Sequence, residues 1–135
     1  VGADPQVLRY LTDYAERLLS QLPAAERTLP IDERVRRAVE KGVLEGDFEP
    51  ETVARTLAMS TRTMQRHLAA AGLSFQEILD NVRRATALRL LREPAATIHE
   101  VAFVLGYGDV PSFYRAFRRW TGQTPAEIRK ALRSA

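Results

Sequence analysis

Two stretches of this chain repeat one another, and that repeat limits the possible folds more than any single residue does. Val53-Ala54-x-x-Leu57-Ala58-Met59 returns as Val101-Ala102-x-x-Leu105-Gly106-Tyr107, forty-eight positions on. Met64-x-Arg66-x-Leu68 returns as Phe113-x-Arg115-x-Phe117 at a spacing of forty-nine, and Gly72 returns as Gly122 at fifty. The drift places one extra residue in the turn of the second copy and one more in its second helix. Each copy therefore reads as a short helix, a tight turn and a second helix.

The rest of the chain agrees with a helical reading. Apolar residues recur at helical period throughout, and no segment alternates apolar and polar residues in the manner of a half-buried strand. A first helix is expected from Pro5 to Gln21, with Asp4 as its cap, followed by a linker from Pro23 to Pro30 and a helix from Asp32 to Leu44. Ser74 caps a long helix reaching Glu93, where Pro94 stops it, and Thr124-Pro125 opens a last helix. Ile78, Val82, Ala85, Leu88 and Leu91 form its apolar stripe, with Arg83, Arg84, Arg89 and Arg92 on a solvated face. The expected fold is all-α: two helix-turn-helix units joined by a long central helix, with one or two extra helices before them. The first unit covers about residues 50–72, the connector about 74–93 and the second unit about 97–121.

Charge is distributed unevenly along this plan. The chain carries a net +3, but residues 1–50 are slightly acidic and all the excess basic charge lies in residues 51–135. At about 100° per residue, Met64, Leu68 and Ala71 fall on one side of the first unit's second helix, with Arg62 and Arg66 opposite. In the second unit Phe113, Phe117 and Trp120 form the inner side, with Pro111, Arg115 and Arg118 opposite and Tyr114 at the flank. Arginines thus occupy equivalent outward positions in both copies. Arginine can donate two parallel hydrogen bonds to guanine, and glutamine can pair with adenine, so Arg62, Gln65 and Arg66 suit a major groove. Ser60, Thr61 and Thr63 sit at the start of that helix, where hydroxyls and free amides can hold phosphate. At the second helix, Ser112, Tyr114, Arg118 and Arg119 complete the candidate contacts. Asp109 is read mainly as a helix cap, although its carboxylate could accept from a cytosine amino group. His67, near the buried edge of its helix, is read as packed or partly exposed in preference to a phosphate contact, and His99 as solvated.

The same residues resemble the AraC/XylS family of transcription regulators over about Asp47 to Arg133. The resemblance rests on Val53-Ala54-x-x-Leu57-x-Met59-Ser60-x-Arg62-Thr63-Met64-Gln65-Arg66-x-Leu68, on Ser74-Phe75, and on an Arg84-x-x-x-Ala-x-x-Leu-Leu pattern ending at Leu91 with a one-residue shift. Its most specific part is Ile98-x-Glu100-Val101-Ala102-x-x-Leu105-Gly106-Tyr107-x-Asp109-x-x-Ser112-Phe113-x-Arg115-Ala116-Phe117-x-Arg119-Trp120-x-Gly122-x-x-Pro125. The resemblance implies a seven-helix domain over residues 29–135 that binds double-stranded promoter DNA in the bacterial cytoplasm. It makes residues 1–28 the end of an effector or dimerisation domain. Any small-molecule effector would be bound by a portion not read here, and RNA polymerase is a candidate further partner. Val110-Pro111 departs from the family in offering no side chain that reads a base by hydrogen bonding.

Other classes find less support. There is no cysteine, no metal-ligand motif, no phosphate-cradling glycine loop and no nucleophile–base pair, so neither an enzyme nor a cofactor is expected. No run of about 18 apolar residues exists, and no membrane partner is expected. The alternative is a helical protein-interaction module whose basic surface is incidental. It accounts for the charge but not for matched arginines in two repeats.

Overall fold

The computed structural model describes residues 29–134. The helix expected over Pro5 to Gln21, and nearly all of the linker from Pro23 to Pro30, lie outside that range. Among the described residues there are seven helices and no strand: α1 Ile31–Glu45, α2 Pro50–Thr56, α3 Thr61–Ala70, α4 Phe75–Leu91, α5 Ile98–Val104, α6 Val110–Thr121 and α7 Pro125–Ser134. None of them is long and apolar enough to cross a membrane.

Short polar side chains define most of the helix starts. The Ser60 hydroxyl accepts from the Thr63 N–H at 3.1 Å, Thr97 from Glu100 at 3.0 Å, and Asp109 from Ser112 at 2.7 Å. At α4 the bonds are reciprocal: Ser74 accepts from the Glu77 amide, and the Glu77 carboxylate accepts from the Ser74 amide, each at 3.2 Å. The connector is shorter than its sequence suggests. It spans 17 residues and stops at Leu91, because Pro94 disfavours helical geometry in the residue before it and unwinds the last turn. At ~1.5 Å per residue it is about 25 Å long, where a helix to Glu93 would be about 30 Å.

Helix α4 is the axis of the fold. Val35, Val39 and Val43, spaced by four on α1, are buried against it. Phe75, Ile78, Leu79, Val82, Thr86, Ala87 and Leu91 are its own buried residues. Met64 and Leu68 from α3 and Phe113 and Phe117 from α6 join the same connected cluster. The two helix-turn-helix units therefore share one core. Ala85, placed on the apolar stripe from the sequence, is exposed, and Thr86 takes the buried position. The methyl group of Thr86 tolerates that environment.

The turns inside the two units differ as the repeat predicts, with residues 57–60 linking α2 to α3 and residues 105–109 linking α5 to α6. Both turns use a left-handed residue two positions after the bracing helix ends. In the second unit it is Gly106, at φ 86°, but in the first it is Ala58, at φ 57°. An L-residue there loses roughly 1–2 kcal/mol to contact between Cβ and carbonyl, so the first turn carries a small strain that the second avoids.

Two consequences can be measured by thermal or urea unfolding. Ala58→Gly should leave stability unchanged or raise it by up to about 1 kcal/mol, since relief of strain outweighs the greater freedom of the unfolded chain. Gly106→Ala should destabilise clearly, because its new Cβ would lie 2.4 Å from Phe48 Cζ on top of the unfavourable φ. Phe117 is fully buried, and Phe117→Ala should cost about 3–5 kcal/mol through the cavity it leaves. An unchanged melting curve for that variant would contradict the packing described.

Candidate nucleic-acid interface

Helices α3 and α6 turn their apolar sides into the shared core, which leaves the opposite sides free. On α3, Arg62, Gln65 and Arg66 are exposed, while Met64 and Leu68 are completely buried. On α6, Pro111, Arg115, Arg118 and Arg119 are exposed, Ser112 and Tyr114 are half-buried, and Phe113, Ala116 and Phe117 face inward. The candidate residues on each helix thus form one outward, basic face. Ser60 is exposed at the start of α3, and Thr61 and Thr63 are half-buried beside it.

The two helix starts differ in what they offer an anion. At α3 the Ser60 hydroxyl engages the Thr63 amide and donates to the Thr63 hydroxyl at 2.9 Å. The amides of Thr61 and Arg62 lie in the first turn, where no intrahelical acceptor exists, so they are open to phosphate. At α6 the Ser112 amide is held by Asp109, and Pro111 has no N–H to give. Only the Val110 amide is left. The backbone hydrogen bond from Ser112, then the Ser112 hydroxyl and the charge of Arg115, hold the Asp109 carboxyl below its ordinary range. The cap is therefore anionic at neutral pH, and its stabilisation is lost only as pH falls through that lowered value. Arg115 also donates to the Ser112 hydroxyl at 3.2 Å, which lays its guanidinium along the helix.

Several side chains lie elsewhere than the sequence suggested. His67 is exposed, beyond the packing or partial exposure expected, and joins the polar surface of α3. Ala71 is also exposed, because α3 ends at Ala70 and the chain turns before Ala71 can reach the core. Trp120 is only half-buried, and packs tilted against Tyr107 and edge-on against Phe117, at 6.3 Å between ring centroids in each case. Arg83 is the largest departure. It is half-buried, with its guanidinium carbon 4.6 Å from the Phe48 ring centre and 4.8 Å from that of Tyr107. Arg84, the arginine matched from sequence, is exposed. Reading the pattern from Arg83 instead, as Arg83-x-x-x-Ala87-x-x-Leu90-Leu91, brings it into register without a shift. Burial raises the Tyr107 hydroxyl above its usual pKa, partly opposed by the charge of Arg83, so the ring beside the guanidinium stays neutral. Among the described residues no group of three or more His, Asp or Glu side chains is placed to hold a metal ion.

Comparison with known proteins adds kinship to this geometry. The family described as a helix-turn-helix domain matches residues 53–131. The ornithine utilization regulator of Pseudomonas aeruginosa is 38% identical over 130 residues, covering 96% of this chain. The chain spans only 37% of that relative's length. A DNA-binding transcriptional dual regulator from Escherichia coli K-12 shares the fold, with a TM-score of 0.74, 24% identity, and coverage of 80% of this chain and 96% of its own. The DNA-binding domain of AdpA, solved in complex with a target DNA, superposes with a TM-score of 0.61 at 33% identity, covering 78% of this chain and 94% of its own. With a family match across most of its described residues, this chain belongs to the AraC-type helix-turn-helix family of transcription regulators.

Proposed function

We propose that the chain binds double-stranded promoter DNA sequence-specifically, with α3 and α6 entering successive major grooves on one side of the duplex. One observation carries this reading: two helices, each braced by an equivalent partner on one shared core, expose arginines at matching positions. On α3, Arg62, Gln65 and Arg66 read base edges, while Ser60, Thr61 and Thr63 hold the adjoining phosphate. On α6, Arg115 and Arg118 face the groove, and Arg119 meets the backbone. Pro111, Ser112 and Tyr114 supply shape and van der Waals contact. The family kinship with a domain solved on DNA supports the assignment.

Grooves on one face of DNA recur every ~34 Å, and α4 at about 25 Å does not span that distance alone. The shortfall is made up by the offset of the recognition helices beyond its ends, by DNA bent towards the protein, or by both; bending a site of this length costs of order 1–6 kcal/mol. In the whole protein the same domain regulates bacterial transcription in the cytoplasm, alongside RNA polymerase. Any small-molecule effector is bound by a domain absent from this chain, and residues 1–28 are a remnant of that effector or dimerisation domain.

Binding to a site selected from random duplex DNA tests the reading. Arg62→Ala or Arg66→Ala should weaken that site by ~1–3 kcal/mol, roughly 5- to 150-fold, and relax preference at one base pair. If both variants keep the wild-type base preference, α3 is not the reading helix. Affinity should also fall steeply with salt, as counterions released from phosphate require. Asp109→Asn retains a capping acceptor but removes the charge beside the DNA, and should tighten binding a few-fold. Weaker binding by that variant, confined to sites with one particular cytosine, would make the carboxylate a base reader instead.

A further inference from the structure

Arg83 is a cation held against two aromatic rings, one at the entry to the first unit and one inside the second. Phe48 lies in the connection from α1 to α2, at the entry to the first helix-turn-helix, and Tyr107 lies in the turn of the second. The guanidinium projects from the middle of α4 and fills the space between them. The backbone of the second turn also closes on the same point: a Cβ on Gly106 would meet Phe48 Cζ at 2.4 Å and Arg83 Nη2 at 3.4 Å. No hydrogen-bond acceptor reaches Arg83 Nε, which is buried.

This is an unusual place for an arginine if packing were its whole task. Burying a guanidinium nitrogen without an acceptor is costly, and an apolar side chain would fill the gap without that penalty. The contact with both ring faces offsets the cost. What a guanidinium adds is geometry: its charge lies 4.6 and 4.8 Å from the two ring centres, and a rigid planar cation holds such a pair in place better than a lysine or a flexible apolar chain does. Besides Arg83, the charges that act on Tyr107 are Asp80, one turn earlier on α4, and Arg119 on α6.

We infer that Arg83 is a positioning residue that sets the placement of the two helix-turn-helix units relative to each other, and thereby the half-site spacing the protein accepts. The inference rests on the two-groove reading above. Two binding units on one chain reinforce each other only when their separation matches the separation of their targets. A wedge that fixes that separation is therefore a determinant of specificity, although it touches no DNA.

The test uses the 135-residue chain with Arg83→Lys and Arg83→Met, after circular dichroism has shown each variant to be helical and cooperatively folded. The first readout needs no DNA. The chain has no cysteine, so Ala69→Cys on α3 and Ala126→Cys on α7, both exposed positions, take spin labels specifically. The distance distribution between labels should be narrow in the wild-type background and clearly broader in the Arg83→Met background, with Arg83→Lys between. The second readout compares a lone first half-site with two half-sites whose spacer is optimal, one base pair shorter or one longer. Both variants should bind the lone half-site as the wild type does. On the optimal composite site they should lose about ten-fold, the scale of one desolvated cation–π contact, with less discrimination between spacers. Unchanged label distances together with unchanged spacer preference overturn the role given to Arg83. Equal losses on lone and composite sites also overturn it, since they show general destabilisation. A wild-type protein indifferent to spacing, with label distances that do respond to Arg83, would sink the two-groove reading while leaving the wedge intact.

Discussion

Burial on a single helix governs this molecule. α4 is covered by α1 along one side and meets α5, α6 and α7 on others, and its buried residues connect the inner faces of both helix-turn-helix units. A recognition helix with apolar residues on one side has no freedom to rotate once Met64 and Leu68, or Phe113 and Phe117, are committed to that core. Rotating α6 by a quarter turn would bring Phe113 or Phe117 towards water, at about 1.5–3 kcal/mol for each large side chain exposed. The side of the helix from which Arg66 or Arg115 projects is therefore fixed by hydrophobic packing on the far side, whatever the guanidinium itself goes on to bond. That separation of duties lets surface residues change with the DNA target while the scaffold stays.

The two units share this scaffold but are not chemically equivalent. α3 begins with a neutral hydroxyl cap and two open amides. α6 begins with a carboxylate cap, a proline and one open amide. The positive end of the helix dipole favours an anion at both starts, yet at α6 the protein supplies that anion itself. Its start is stabilised internally and has less to give to a phosphate. Three exposed arginines further along, at 115, 118 and 119, restore positive charge one to three turns away from the carboxylate. α6 is thus suited to grip by charge and shape, and α3 to read.

Periodicity made most of the fold legible. The capping serines and Asp109, and the large inner residues of α3 and α6, all follow from local spacing, because each depends on neighbours within four positions. The misplacements share a cause. An angular projection treats a helix as ideal and alone, so it could not show that α3 would end before Ala71, or that Thr86 rather than Ala85 would be buried. His67 lies between the inner and outer sides of its helix, where the angle alone decides nothing. Arg83 was the least legible of all. A charged residue on a long helix reads as solvated, and its partners Phe48 and Tyr107 stand far away in the sequence on either side. The pairing of these three exists only once the fold has formed.

A connector fixed at a single point would still let one unit swing about the other, and the side chains at its far end answer that problem. The last carbonyls of a helix have no intrahelical donors. Here Arg129, from α7, donates to the Leu91 carbonyl at 3.1 Å and also to that of Ala96, with Glu93 at 3.4 Å. Its positive charge also suits the negative end of the α4 dipole. The second unit is thereby tied to the connector's C-terminal end, the reciprocal Ser74–Glu77 cap defines the N-terminal end, and Arg83 engages both units at the middle. The contacts of Arg129 and Arg83, at two heights along one helix, constrain orientation in a way that a non-directional apolar core cannot. For a protein whose two grips must land on targets at a set separation, directional contacts of that kind are where specificity of spacing has to be stored.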